Sequence, residues 1–199
     1  MAHASRRGAA RAIAEDPTAE GRTRRHDPER RTRILLACLD VIAEVGVAGV
    51  SHRRVARAAD VPLGSMTYHF ASKDELLFDA LAHFAEEISD RFERRMRAAS
   101  DADAARGAVA DIIREDVFSD GRELVLTHEL YTLAARDPRY RQLTSAWMTR
   151  SRAALERHFD PLTARLLDAA IEGLSIHRAL DAVERDPDDI ARAIERIAG

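Results

Sequence analysis

The chain has 199 residues, of which 46% are hydrophobic, 33% charged and only 5% aromatic, with a net charge of −3. That length suffices for one ordinary domain or two small ones, and a composition rich in alanine, leucine and arginine leans towards helix. No apolar run approaches the roughly 20 residues that span a bilayer. The N-terminus lacks the continuous apolar stretch of a secretory signal, and the single cysteine, Cys38, excludes an internal disulfide and a cysteine-built zinc site. The expectation is a cytoplasmic protein in which Cys38 is a buried core thiol.

Charge is unevenly spread. Residues 24–73 hold nine Arg or Lys against five Asp or Glu, a net +4, whereas residues 74–199 carry a net −8. A basic N-terminal third on an acidic body is the asymmetry of a protein that meets a polyanion with one part only.

Residues 1–26 read as a disordered basic arm without a sustained apolar face. Asp27-Pro28 supplies an N-cap and a first helical residue of fixed φ. Ile34, Leu35, Cys38, Leu39, Ile42 and Val45 then recur at spacings of three and four, a stripe that Gly46 ends. Two short helices follow. Ser51 caps the first, which runs to about Ala59 with Val55, Ala56 and Ala59 inwards; after a turn at Asp60-Val61-Pro62, the second runs from Leu63 to Phe70. Ser72-Lys73-Asp74-Glu75 is a capping box in which Ser72 and Glu75 satisfy each other's backbone N–H groups. It opens a long amphipathic helix carrying Leu76, Leu77, Leu81, Phe84, Ile88, Phe92 and Met96 and ending near Ser100. Further helices are expected at 103–118, 121–136, 138–158, 161–183 and 188–198, the last three opened by Asp-Pro pairs at 137–138, 160–161 and 186–187. Two-residue alternation is nowhere sustained. The fold class is therefore all-α, about nine helices, divided into a three-helix helix-turn-helix unit over 27–73 and a helical body over 74–199.

The stretch PLGSMTYHFASKDEL, residues 62–76, carries the chemistry. A short helix, a tight turn and a second short helix, all behind a longer supporting helix, describe a unit whose second helix enters the major groove of duplex DNA by its N-terminal end. That end must be slim, which suits Gly64 and Ser65. Ser65, Thr67 and Tyr68 bring hydroxyls for phosphates or base edges, the Thr67 methyl can meet a thymine methyl, and His69 can donate to a phosphate oxygen. Met66 and Phe70, four apart, face the other way and hold the helix to its small core. Lys73, the only lysine among 31 basic residues, falls in the first turn of the next helix, where a cation opposes the helix dipole unless an external anion docks there.

The segment ILLACLDVIAEVGVAGVSHRRVARAADVPLGSMTYHFASKDELLFDAL closely resembles the DNA-binding domain of the TetR/AcrR family of bacterial transcription regulators. The resemblance covers residues 28–80 and rests on Gly46, Ser51, Val55-Ala56, Ala59, Gly64-Ser65, Tyr68-His69-Phe70 and Ser72-Lys73. It departs at two positions. Asp60 stands where the turn usually has glycine, and Thr67 where tyrosine is common, so the base preferences of other members do not transfer. Carried over position by position, the resemblance implies that His52 and Arg53 meet the DNA backbone. Leu63, Gly64, Ser65, Thr67 and Tyr68 would lie in or at the rim of the groove, and His69 and Lys73 would clamp phosphates. Arg24 and Arg25 of the arm are candidates for an adjacent groove.

The same resemblance implies a homodimer, since a single helix-turn-helix makes too few contacts for tight binding. Leu162, Leu166, Leu167, Ala170, Ile171, Leu174 and Ile176 form the apolar pattern of residues 161–183, with Gly173 permitting close approach. In the family the last two helices pair with their mates. The candidate dimer surface is therefore Leu162, Leu166, Ala170, Gly173 and Leu174 together with Ile190, Ile194 and Ile197. The resemblance also implies a small-molecule pocket in the body, with Phe84, Ile88, Ile113, His128, Tyr131, Trp147, Met148 and Ser151 as candidate walls. Trp147, the only tryptophan, suits a pocket wall and a plain core equally.

The rival from another class is an all-α enzyme, but no nucleophile–base pattern, glycine-rich phosphate loop or paired His–Glu metal motif occurs. His128, His158 and His177 have no recognised ligand spacing. No catalytic residue, cofactor or metal is expected. A helical dimeric ligand-binding module without DNA binding would have no use for Tyr68, Lys73 or the basic first third. A repressor released from a palindromic operator by a small molecule and a ligand-dependent activator share every feature described, and both stay open. The expected partners are an operator in double-stranded DNA, a small-molecule effector and a second copy of the chain, with no membrane.

Overall fold

A computed structural model describes residues 29–116, 121–183, 186 and 188–199. The arm with Arg24 and Arg25, and the Asp27-Pro28 helix start, lie outside the described residues. Among those described there are nine α-helices and no strand, so the all-α expectation holds. Helix α1 spans Arg30–Val45, α2 His52–Ala58, α3 Leu63–His69, α4 Lys73–Ala98 and α5 Ala102–Asp111, with a π-helical turn, Ile112–Asp116, continuing α5. Then come α6 Gly121–Ala134, α7 Pro138–Leu155, α8 Pro161–Leu180 and α9 Asp188–Ala198.

The helix starts follow the side chains that the sequence places there. Ser51 accepts from the Arg54 N–H at 3.3 Å, Asp101 from Ala104 at 2.8 Å, Asp137 from Arg139 at 2.9 Å and Asp160 from Leu162 and Thr163 at 2.9 and 3.2 Å. Each replaces a backbone partner that the first turn lacks. The capping box at Ser72 differs from the reciprocal arrangement expected of it. Ser72 Oγ does accept from the Glu75 N–H at 3.1 Å, but with Ser72 extended the Glu75 carboxylate meets the N–H one residue earlier, that of Ala71, at 2.7 Å. Helix α8 stops at Leu180 rather than at 183, because Asp181 turns extended.

Two apolar cores are strung along α4. The first gathers Ile34, Cys38, Leu39 and Ile42 of α1, Val55 of α2, Met66 of α3 with Phe70 beside it, Leu77, Leu81 and Phe84 of α4, and Leu126 and Leu130 of α6. The second gathers Phe92 and Met96 of α4, Val109, Ile112 and Ile113, Leu155 of α7, Leu167 and Ile171 of α8 and Ile194 of α9. Burying a side chain such as Met66 or Phe70, both essentially without solvent contact, contributes about 1.5–3 kcal/mol. That is enough to hold two helices of seven residues that would not persist alone. Cys38 is fully buried as expected, and burial pushes its thiol pKa up to about 12.

Candidate nucleic-acid interface and ligand cavity

The turn between α2 and α3 is built on Asp60, the one non-glycine residue with positive φ among those described, at +51°. The Val61 N–H donates to Ala56 O at 3.0 Å and the Asp60 N–H to Arg57 O at 3.3 Å. This pair of bonds is the Schellman closure of α2, with Asp60 at the left-handed position that glycine usually fills. Pro62 then caps α3, its carbonyl accepting from the Ser65 N–H at 2.9 Å. Asp60 tolerates this conformation better than most residues, and α3 is thereby fixed against α2.

Helix α3 turns Met66 into the core and its other side to solvent. Leu63 is 50% and Tyr68 84% exposed, large apolar and aromatic surface that the described residues leave uncovered. Gly64 and Thr67 are exposed with them, and Ser65 and His69 are half-buried. No heavy atom of the described residues lies within 4 Å of where a Gly64 β-carbon would stand, which leaves this end of the helix open to close approach. The Thr67 hydroxyl donates to Gly64 O at 3.2 Å, which commits its hydrogen and leaves its methyl and oxygen lone pairs. His69 packs edge-on against the Tyr68 ring, centroids 5.0 Å apart. Burial, with repulsion from Arg30 and Arg31, holds its pKa below the usual histidine range. Arg31 lies over the Phe70 ring at 5.2 Å and pairs with Asp79 of α4 at 2.7 Å, bracing the whole unit. Lys73 and Arg53 are exposed on the same unit, while His52 is half-buried with its Nε2 unbonded inside.

A cavity of about 70 Å³ lies where α4 passes from one core to the other. Four helices each turn an i, i+4 pair into it: Ile88 and Phe92 of α4, Thr127 and Tyr131 of α6, Trp147 and Ser151 of α7, and Asp168 and Glu172 of α8. Arg91, Glu123, Met148 and Ile171 complete the wall. The Trp147 ring meets Tyr131 at 6.2 Å and Phe84 at 6.3 Å. Arg91 donates through one nitrogen to both Glu123 oxygens, at 2.8 and 2.9 Å, and Arg152 Nε donates to Asp168 at 3.1 Å. The Tyr131 hydroxyl and the Glu172 carboxyl interact, and burial drives the pKa values of Tyr131, Asp168 and Glu172 upwards.

Of the candidate pocket residues, Ile88, Tyr131, Trp147, Met148 and Ser151 lie in this wall. Phe84 and Ile113 are committed to the first and second cores, and His128 bonds the Leu124 carbonyl through Nδ1 at 2.7 Å, outside the lining. Glu123, Asp168 and Glu172 also line the cavity and were not among the candidates. The available signal was that Glu123 lies one turn from Thr127, and Asp168 and Glu172 one turn from each other beside Ile171.

Helix α8 buries Ala164, Leu167, Ile171 and Ser175 and leaves an apolar stripe on the other side. Leu162, Leu166, Ala169, Gly173, Ile176 and Leu180 follow one another at spacings of four and three, the repeat of a helix–helix seam. Leu162, Leu166 and Leu180 are 61%, 49% and 65% exposed, and a Gly173 β-carbon would meet nothing within 4 Å. The structure takes other expected residues away from that surface. Ile194 is buried in the second core, Leu174, Ile190 and Ile197 pack against it, and Ala170 is half-buried.

The chain has relatives among known proteins. The profile of bacterial regulatory proteins of the tetR family matches residues 34–80, and that of tetracyclin repressor-like C-terminal domains matches residues 99–199. The HTH-type transcriptional regulator PksA of Bacillus subtilis is 28% identical over 189 residues, 83% of this chain and 86% of its own length. The crystal structure of the Streptomyces coelicolor A3(2) protein SCO7518 is 56% identical with a TM-score of 0.78, covering 86% of this chain and 99% of that one. The multidrug binding protein EbrR complexed with ethidium is 36% identical with a TM-score of 0.70, covering 86% and 99%, and EbrR has also been solved with proflavin and with malachite green. Among the described residues no helix is long and apolar enough to cross a membrane, and no group of three His, Cys, Asp or Glu is placed to hold a metal ion.

Proposed function

The chain belongs to the tetR family of bacterial regulatory proteins, and from that premise we propose that it is a dimeric repressor released from a palindromic operator by a small molecule. Regulators of this family bind DNA and small-molecule ligands and form dimers. Residues 27–73 form the DNA-binding unit and residues 74–199 the ligand-binding and dimerisation body. The observation that carries the DNA reading is α3, whose exposed Leu63, Gly64, Thr67 and Tyr68 stand on a buried Met66. Ser65 joins them at the groove. His69, Lys73 and Arg53 meet phosphates, and half-buried His52, the first residue of α2, meets the DNA backbone beside Arg53. The exposed α8 seam pairs with its mate about a two-fold axis and sets the distance between the two α3 helices.

The cavity supplies the switch. Its free space of about 70 Å³ is far below the ~300 Å³ or more of pockets that seat drug-sized ligands, so an aromatic ligand binds an opened form and biases the body towards it. Helix α6 carries the change outwards. One side of it gives Thr127 and Tyr131 to the cavity, while Arg122 pairs with Asp40 at 2.8 Å and Glu129 accepts from the Val47 N–H at 3.3 Å, both at the end of α1. A ligand that stabilises the opened form thus displaces α1 and the helix-turn-helix behind it.

Trp147 makes this testable, because it is the only tryptophan and lines the cavity. The aromatic probe malachite green should quench its fluorescence and release a selected operator fragment over the same concentration range. Quenching with undiminished DNA binding would reject ligand release. Tighter DNA binding would favour a ligand-dependent activator.

A further inference from the structure

Three carboxylates and two arginines stand in and behind the cavity wall, and the arginines are each already taken by one carboxylate. Arg91 from α4 holds Glu123 of α6, and Arg152 from α7 holds Asp168 of α8. Glu172, one turn beyond Asp168, makes no ion pair with any described residue. The groups that face it are the Tyr131 hydroxyl, the Asp168 carboxylate, whose charge repels it, and His128 of α6, whose positive form would attract it. Around it stand Trp147 and Tyr131 as flat aromatic walls. The lining therefore has one carboxyl group without an ion-pair partner among the described residues, held at the edge of an aromatic slot. Resting on the reading that this cavity binds the effector, we infer that Glu172 selects a cationic aromatic ligand, its carboxylate supplying a counter-charge that no described residue pairs with.

A merely structural glutamate would not couple ligand binding to its own protonation, whereas a counter-charge does. With the cavity empty, burial and the neighbouring Asp168 charge favour the protonated form of Glu172. A cation entering beside it favours the carboxylate, so binding releases the proton. Cation affinity accordingly rises with pH through the range in which the empty site titrates and levels off above it. A neutral ring system entering the same slot draws on the aromatic walls alone and shows no such dependence.

Proflavin, protonated at neutral pH, and acridine, the same three-ring frame without its amino groups and mainly neutral there, separate charge from shape. Binding of each to the purified full-length protein, free of DNA, is followed by Trp147 quenching. Glu172→Gln should weaken proflavin binding by about tenfold or more, as expected for losing a charge-assisted contact in a partly dry site. It should leave acridine within about twofold and abolish the pH dependence of proflavin affinity. Proflavin binding unchanged in the variant, or equal losses for the two probes, would overturn the charge role while leaving the cavity reading intact. Failure of both probes to bind the wild type would overturn the cavity reading and this inference together. A variant that does not fold leaves the wild-type measurement decisive: binding of ethidium, a fixed cation, in weakly buffered solution should release a fraction of a proton per site within the pH range over which proflavin affinity changes, and no release at any pH in that range would refute the inference.

Discussion

A β-carbon on Gly46 would stand 2.8 Å from Oε1 of Glu129, so a side chain at the end of α1 would have to displace the carboxylate that α6 places there. Gly46 has φ +69° and ψ 167°, a region that essentially glycine alone adopts. The Glu129 carboxylate beside it accepts from the Val47 N–H. Gly46→Ala should destabilise the protein by about 1–3 kcal/mol from backbone strain, read as a melting temperature lower by roughly 2–4 °C for each kcal/mol. Glu129→Ala, which removes the steric part, should cost about 0.5–1.5 kcal/mol for one hydrogen bond. In a double-mutant cycle the two should be less than additive. In operator-release assays Glu129→Ala should bind ligand and DNA normally yet need more ligand for release; an unchanged release curve would remove α6 from the coupling.

Tyr68→Ala and Lys73→Ala should each weaken operator binding while helix content and the dimer persist, since both side chains are exposed and outside the two cores. A phosphate-contacting Lys73 should also lower the slope of log affinity against log salt by about 0.9. Titrations at several salt concentrations check this, and wild-type affinity in both variants would remove these residues from the interface.

Leu166 and Ile194 were expected on one surface, and the structure separates them into an exposed and a buried position. Leu166→Glu should therefore give a folded monomer by sedimentation, through a charge placed in the α8 seam. Ile194→Ala should instead lower stability by about 2–5 kcal/mol, the ordinary cost of emptying a core position, and leave the folded fraction dimeric.

Cys38 should resist alkylation at pH 8 in the native protein and react once it unfolds. Its thiol is buried and its pKa pushed up to about 12 from an ordinary 9.0. Its contribution to stability is present below that ordinary value and is lost as pH rises towards the raised one. Fast labelling of the folded protein would contradict the burial.

The helices were legible because their signals are local. Ser51, Asp137 and Asp160 cap where they stand in the sequence, and the apolar spacing of Ile34 to Ile42 needs no knowledge of its partner to be read. What a helix face packs against is not local. The stripe of Leu162, Leu166, Ala169 and Gly173 and the stripe of Leu167, Ile171 and Leu174 lie on one helix with similar residues, and only the neighbours decide which is core. The cavity was half-legible for the same reason. Tyr131, Trp147 and Met148 could be named as large side chains of the body. Asp168 and Glu172 enter it only because α8 faces α6 and α7 at the gap between the two cores.

DNA recognition by this chain requires that α3 act as one half of a two-fold pair. Selection of genomic fragments by the purified protein, followed by binding at several salt concentrations, measures this. The expected result is a palindromic site whose half-sites lie a helical turn or a multiple of it apart, preferred by about a thousandfold or more over unrelated sequence, with Tyr68→Ala losing that preference. Weak binding of all fragments alike, with the same affinity in Tyr68→Ala, would contradict it.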